Sequence, residues 1–198
     1  MQTIGIIGIG FVGTALKTSF LKKNIHIATY DKYKQNEGAF DKCLTADIIF
    51  LCLPTPFCDE RKEYNKDAIY EIMRLLDTHN YKGVIAIKST IEPLICATLS
   101  KQYPSCNIVH NPEFLSAKTA YQDFHNQKHI VLGKTPECNE QSYNCIINFY
   151  KEYYPQSQIS LCTTTESESM KLFVNSFYAS KIQLFNEFYS VCQKIDIN

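Results

Sequence analysis

The chain has 198 residues, 45% hydrophobic and 20% charged, and its 20 Lys+Arg balance 20 Asp+Glu to a formal net charge of zero. That length buries a core for one large domain, or for one domain and part of another, and the charge balance argues against nucleic acid as a partner. No apolar run reaches the roughly 18 residues needed to cross a bilayer, and Met1-Gln2-Thr3 leads straight into an apolar strand, so a cytoplasmic protein without membrane association is expected.

Apolar runs of strand length alternate with helical patterns along most of the chain. Residues 4–9 form an apolar run with glycines, and residues 12–21 follow at helical spacing. Residues 25–30 read as a second strand. Residues 47–53 (DIIFLCL) read as a third, whose lack of alternation fits a strand covered on both faces. A helix is expected over 68–76, a strand over 83–87 and a helix over 93–99. Short strands follow at 107–110 and 129–132, then a helix over 139–150 and a seventh strand at 158–162. Crossovers of this length predict an α/β, Rossmann-type, doubly wound and mostly parallel sheet.

From residue 166 to about 193 no Gly or Pro interrupts the pattern, and Met170, Phe173, Val174, Phe177, Tyr178, Ile182, Phe185, Phe188, Tyr189 and Cys192 fall on helical steps. The 163–165 threonine run can supply an N-cap, and Glu166 and Glu168 suit the positive end of the dipole. One C-terminal α-helix of ~28 residues would be ~42 Å long, more than one small domain needs. The chain therefore divides into residues 1–165, one α/β domain, and 166–198, a helix expected to carry a second domain or a partner subunit.

The nine cysteines are scattered and none forms a C-x-x-C pair. An odd number without metal spacing suggests reduced thiols in a cytosolic setting, several of them acting as small hydrophobes in strands. No metal site is expected.

Gly8-Ile9-Gly10-Phe11-Val12-Gly13 is a G-x-G-x-x-G directly after a strand and at the mouth of a helix. Gly8 permits the tight turn, Gly10 lets backbone approach a pyrophosphate, and Gly13 allows close packing of helix on strand. Phe11 and Val12 open the helix, whose free N–H groups face the phosphates. Asp31, 23 residues after Gly8, ends the second strand, where a carboxylate accepts both adenosine ribose hydroxyls and repels a 2′-phosphate. Together these residues point to NAD rather than NADP, a preference that Lys32 and Lys34 soften slightly. The competing reading is a turn that only packs a helix.

Three polar loops follow three successive strands: Pro54-Thr55-Pro56, Lys88-Ser89-Thr90 and Asn111-Pro112-Glu113-Phe114-Leu115. Taken singly each is an ordinary loop. At the carboxyl ends of parallel strands they converge on one crevice beside the cofactor, so Pro54, Thr55, Pro56, Ser89 and Thr90 are expected to touch it.

The set GIGFVG, LCLPTP, KST, NPEFL…TAYQDF, HIVLG and ESESMKLFVNSFYASKIQLFNEFYSVC resembles the UDP-glucose 6-dehydrogenase / GDP-mannose dehydrogenase family, in order and across nearly all of the chain. NPEFL and the E-x-x-K-x-x-x-N helix are the specific parts. The resemblance implies two successive oxidations of a nucleotide sugar, most naturally UDP-glucose, at C6, with two NAD reduced. It implies that Glu113 is the acid/base, that Thr90 positions a water near the reacting carbon, and that Lys171 and Asn175 hold the sugar and stabilise oxyanion charge. Without it, Lys171 reads better as a solvated lysine and Asn175 as a buried polar residue satisfied by a loop.

The chain departs from the family at Ser116 and Ala117, where many members carry an arginine and a second glutamate. It also ends 23 residues past Asn175, before the glycine-rich loop whose cysteine forms the family's thioester. A homodimer or a complementing chain, joined through the C-terminal helix, is therefore expected to complete the site. Two alternatives stand beside this one: a catalytically silent NAD-binding or interaction protein left by truncation, and a β-hydroxyacid dehydrogenase-like protein, against which NPEFL argues.

Overall fold

The computed structural model describes residues 2–197. In chain order, β1 (Ile4–Ile7) leads through a glycine turn to α1 (Phe11–Lys22), β2 (Ile27–Tyr30), a single turn α2 (Phe40–Cys43) and β3 (Ile48–Leu51). A small hairpin, β4 (Phe57–Cys58) and β5 (Glu63–Tyr64), precedes α3 (Asp67–Thr78), β6 (Val84–Ile87), α4 (Ile95–Gln102) and β7 (Asn107–His110). The remainder is α5 (Ala120–His125), β8 (His129–Lys134), α6 (Glu140–Tyr153), β9 (Gln158–Thr163) and α7 (Thr164–Lys194).

All seven expected strands join one sheet in the order β2-β1-β3-β6-β7-β8-β9. Every neighbouring pair is parallel except β7 and β8. The absence of alternation in the central strands has a direct cause, because successive residues bury into different cores. Ile4, Ile6, Ile48 and Phe50 face one layer with Phe20, Phe149 and Tyr150, while Ile7, Ile49 and Leu51 face the other with Ile69, Met73 and Leu99. Helices therefore cover both faces, as a doubly wound Rossmann-type sheet requires.

The fourth helix begins at Ile95 rather than 93. Leu94 is left-handed at φ +77°, and the N–H groups of Leu94 and Cys96 donate to the Glu168 carboxylate at 2.7 and 2.8 Å. Glu168 thus caps a different helix from its own, which corrects its expected role at the start of α7. That start is closed instead by a capping box between Thr163 and Glu166.

α7 has 31 residues and runs about 46 Å. Only its first two turns are buried, through Thr164, Ser167, Glu168 and Lys171. They approach β8 at Gly133, where a Cβ would lie 2.2 Å from Ser167 Oγ. Ser167 Oγ meets Nδ1 of the fully buried His110 at 2.7 Å and donates to Thr164 O. Beyond Lys171 the aromatic face is open, with Phe173 71% and Phe177 64% exposed. Among the described residues, no helix is long and apolar enough to cross a membrane.

Candidate cofactor and active site

A cavity of about 560 Å³ opens at the carboxyl ends of β1, β2, β3 and β6. Gly8, Gly10, Phe11 and Val12 line one wall. The three glycines of the turn serve different ends. Gly8 sits at φ +91°, where a Cβ would come 2.5 Å from Cys52 O; a Cβ on Gly13 would come 2.0 Å from Gly8 O. Packing accounts for both. It does not account for Gly10, which has nothing within 4 Å of its Cβ position. Gly10 also caps α1 without a side chain, and no acid stands in the first turn of that helix. Open space over free N–H groups at a helix N-terminus fits a pyrophosphate.

Asp31 lines the same cavity beyond the end of β2. Its Oδ2 accepts the Ile9 N–H at 2.8 Å and its Oδ1 the Tyr33 N–H at 2.9 Å, so the carboxylate braces the glycine turn. Each oxygen retains a second lone pair for a ribose hydroxyl. The two nearby lysines differ in role. Lys32 is paired with Glu71 at 2.7 Å, whereas Lys34 Nζ crosses the turn to donate to Ile9 O at 2.6 Å. Lys34 lines the cavity and was not among the expected contacts.

The polar loops do converge. Pro54, Thr55, Ser89, Thr90 and Glu113 all line the cavity. Thr55 Oγ1 donates to Thr90 O at 2.7 Å, and Ser89 Oγ both donates to Leu53 O (2.7 Å) and accepts the Leu53 N–H (3.0 Å). The Ser89 hydroxyl therefore stitches two loops together. Pro56 lies outside the lining, its carbonyl accepting the Asn65 N–H as the hairpin begins. Gly13 is likewise inside the packing rather than in the wall.

Glu113 and Lys171 meet across 58 residues of sequence. Lys171 Nζ donates to Glu113 Oε1 at 3.0 Å and also to the Glu113 main-chain oxygen, while Glu113 Oε2 accepts the Leu115 N–H at 2.6 Å. Lys171 is 5% exposed, its ammonium 5.2 Å from the Phe114 ring centroid, so it is no solvated surface lysine. Asn175, one turn further, is exposed, and its side chain makes no hydrogen bond among the described residues. It is neither buried nor satisfied by a loop, and it is not in the cavity wall. Cys52 is the cysteine lining the cavity, and burial pushes its thiol up to about 12.

The sequence profile described as "UDP-glucose/GDP-mannose dehydrogenase family, NAD binding domain" matches residues 36–154. The UDP-glucose 6-dehydrogenase of Rickettsia prowazekii is 34% identical over 179 residues, a match covering 87% of this chain and 40% of that protein. A UDP-glucose dehydrogenase from Pyrobaculum islandicum superposes with a TM-score of 0.85 at 18% identity, covering all of this chain and 54% of that one. A GDP-mannose dehydrogenase from Pseudomonas aeruginosa gives 0.80 at 19%, again with 54% of its chain covered. The chain thus spans well under two thirds of these relatives. It belongs to the UDP-glucose/GDP-mannose dehydrogenase family and carries that family's NAD binding domain.

Proposed function

We propose that the chain supplies the cofactor half and part of the sugar site of an NAD-dependent nucleotide-sugar dehydrogenase of UDP-glucose 6-dehydrogenase type, oxidising the C6 alcohol towards UDP-glucuronate. The observation that carries this reading is the Glu113–Lys171 pair, whose carboxylate lines the cavity that the glycine turn opens. NAD, when bound, supplies the hydride acceptor. Gly10, Phe11 and Val12 would hold its pyrophosphate, Asp31 its ribose, and the Pro54–Thr55 and Ser89–Thr90 loops the remainder. Glu113 accepts the proton of the alcohol as hydride leaves C6. Lys171 has a third N–H beyond its two bonds to Glu113, and with Asn175 it holds the sugar and offsets oxyanion charge. Thr90 positions a water.

A second oxidation by way of a thioester needs a thiolate. Cys52 is held as a thiol, so that nucleophile must come from a segment other than those lining this cavity. In this reading residues 1–165 are the NAD domain, residues 166–198 open a helical domain, and the exposed face of α7 joins a second copy or a complementing chain. Nine free cysteines suit a reducing, cytoplasmic setting.

The test is NADH formation with UDP-glucose, with and without hydroxylamine to trap aldehyde. Hydroxylamine-dependent, one-step turnover supports the reading. NAD binding without any turnover favours the silent module, for which the open aromatic face of α7 is the specific support.

A further inference from the structure

Lys88, first residue after β6, is 2% exposed yet belongs to the cavity wall beside Glu113. Its ammonium donates to Asn111 O at 2.9 Å and to Asn111 Oδ1 at 3.0 Å. Asn111 is otherwise fully engaged. Its N–H donates to Ile87 O, its amide to Val131 O at 2.9 Å, and its Oδ1 also accepts the Tyr150 hydroxyl. Glu113 follows two residues later. Lys88 therefore grips the stem of the turn that presents the acid/base, while Lys171 grips its tip.

The charge on Lys88 is held by hydrogen bonds rather than by an ion pair. Among the described residues no carboxylate lies within ion-pair distance of it, and burial pulls it down to about 8. The groups facing it are the Cys52 thiol after β3, the Glu113 carboxylate, the Lys171 ammonium of α7, and the Phe124 ring of α5, 5.5 Å away. The Glu113 carboxylate and the Phe124 face favour the cation, the Lys171 ammonium opposes it, and the thiol is uncharged. Lys88 is held instead by its bonds to Asn111, and replacing it by an apolar side chain takes the donor away from the buried Asn111 main-chain oxygen.

We propose that Lys88 is a positioning residue for Glu113: its ammonium fixes Asn111, and through it the turn that aims the carboxylate into the cavity. The inference rests on the dehydrogenase reading for its purpose, though not for its first readout.

The experiment compares Lys88→Met with Tyr150→Phe in the full chain. Amide hydrogen exchange at Leu115, whose N–H is held by Glu113, is expected to quicken about tenfold in Lys88→Met while α1 and β1 amides stay protected. The melting temperature should fall by roughly 2–12 °C, the cost of removing the donor to the buried Asn111 main-chain oxygen, with the chain still folded. Tyr150→Phe removes the neutral donor to the same Asn111 oxygen and should leave Leu115 exchange within about threefold of the parent. Where turnover is measurable, kcat should fall in Lys88→Met with KM for NAD unchanged, and the parent's loss of kcat as pH rises through about 8 should disappear. An unfolded Lys88→Met chain, unchanged Leu115 exchange, or equal loosening by Tyr150→Phe overturns the proposal. Absence of turnover in the parent counts against the dehydrogenase reading alone.

Discussion

Gly10 and Gly13 lie three residues apart in one motif, and the same substitution should affect them in opposite ways. Gly10 has extended backbone (φ −77°, ψ −150°) and open space where a Cβ would stand. Gly10→Ala removes unfolded-state freedom, worth about 0.4–1 kcal/mol, and loses a comparable amount as a poorer N-cap. The melting temperature should stay within about 3 °C of the parent. The new methyl occupies the space that a pyrophosphate needs to reach the α1 N–H groups. Loss of those charge-assisted contacts should cost about 1.5–3 kcal/mol, roughly ten- to hundredfold in NADH affinity. Gly13→Ala instead drives a methyl to 2.0 Å from Gly8 O, so α1 must shift on β1. Overpacking of that kind costs about 1–3 kcal/mol and lowers the melting temperature by roughly 2–12 °C. NADH fluorescence titration and thermal unfolding on both variants read the two effects separately. If Gly10→Ala bound NADH as tightly as the parent, the pyrophosphate could not lie over Gly10 and the cofactor pose would be wrong.

Lys171→Met strands the Glu113 carboxylate at 15% exposure with the Leu115 N–H as its remaining bonded partner. Breaking such a pair should cost about 3 kcal/mol, or roughly 6–12 °C in melting temperature, and the double variant with Glu113→Gln should recover at least half. His110 is pushed down to about 3 by burial, so below its ordinary 6.5 the unfolded chain takes up a proton that the native chain refuses. Stability is therefore full above 6.5 and lost as pH falls, at about 1.4 kcal/mol per pH unit, and urea unfolding of His110→Asn should lack that slope between pH 7 and 5. If α7 pairs two copies of the chain, glutamates at Phe177 and Phe185, 64% and 59% exposed, should convert the sedimenting dimer to monomer. A parent chain already monomeric at micromolar concentration would rule out pairing through α7.

The central sheet was legible because its strands are buried on both faces, which writes continuous runs such as IIFL and VIAI into the sequence. The glycine turn was legible because backbone geometry admits few alternatives at Gly8 and Gly13. The hairpin was not, since Phe57–Tyr64 is charged and holds only two residues per strand, too few for a period to register. Nor was the antiparallel β7–β8 pair, because strand direction follows from where the intervening 18-residue connection returns and leaves no local mark. In the site, the residues that could be read were those whose own neighbours form a motif. Those that could not act over long separations: Glu168 caps a helix start 72 and 74 residues away, Lys88 grips Asn111 across 23, and Lys34 reaches the glycine turn across 25. Glu168 shows the limit best. Its position in the fifth place of its own helix suggests a dipole contact, yet its carboxylate is fully buried against another helix because Gly133 lets α7 approach the sheet closely. A charge placed by that approach can be foreseen only once the packing that permits it is known.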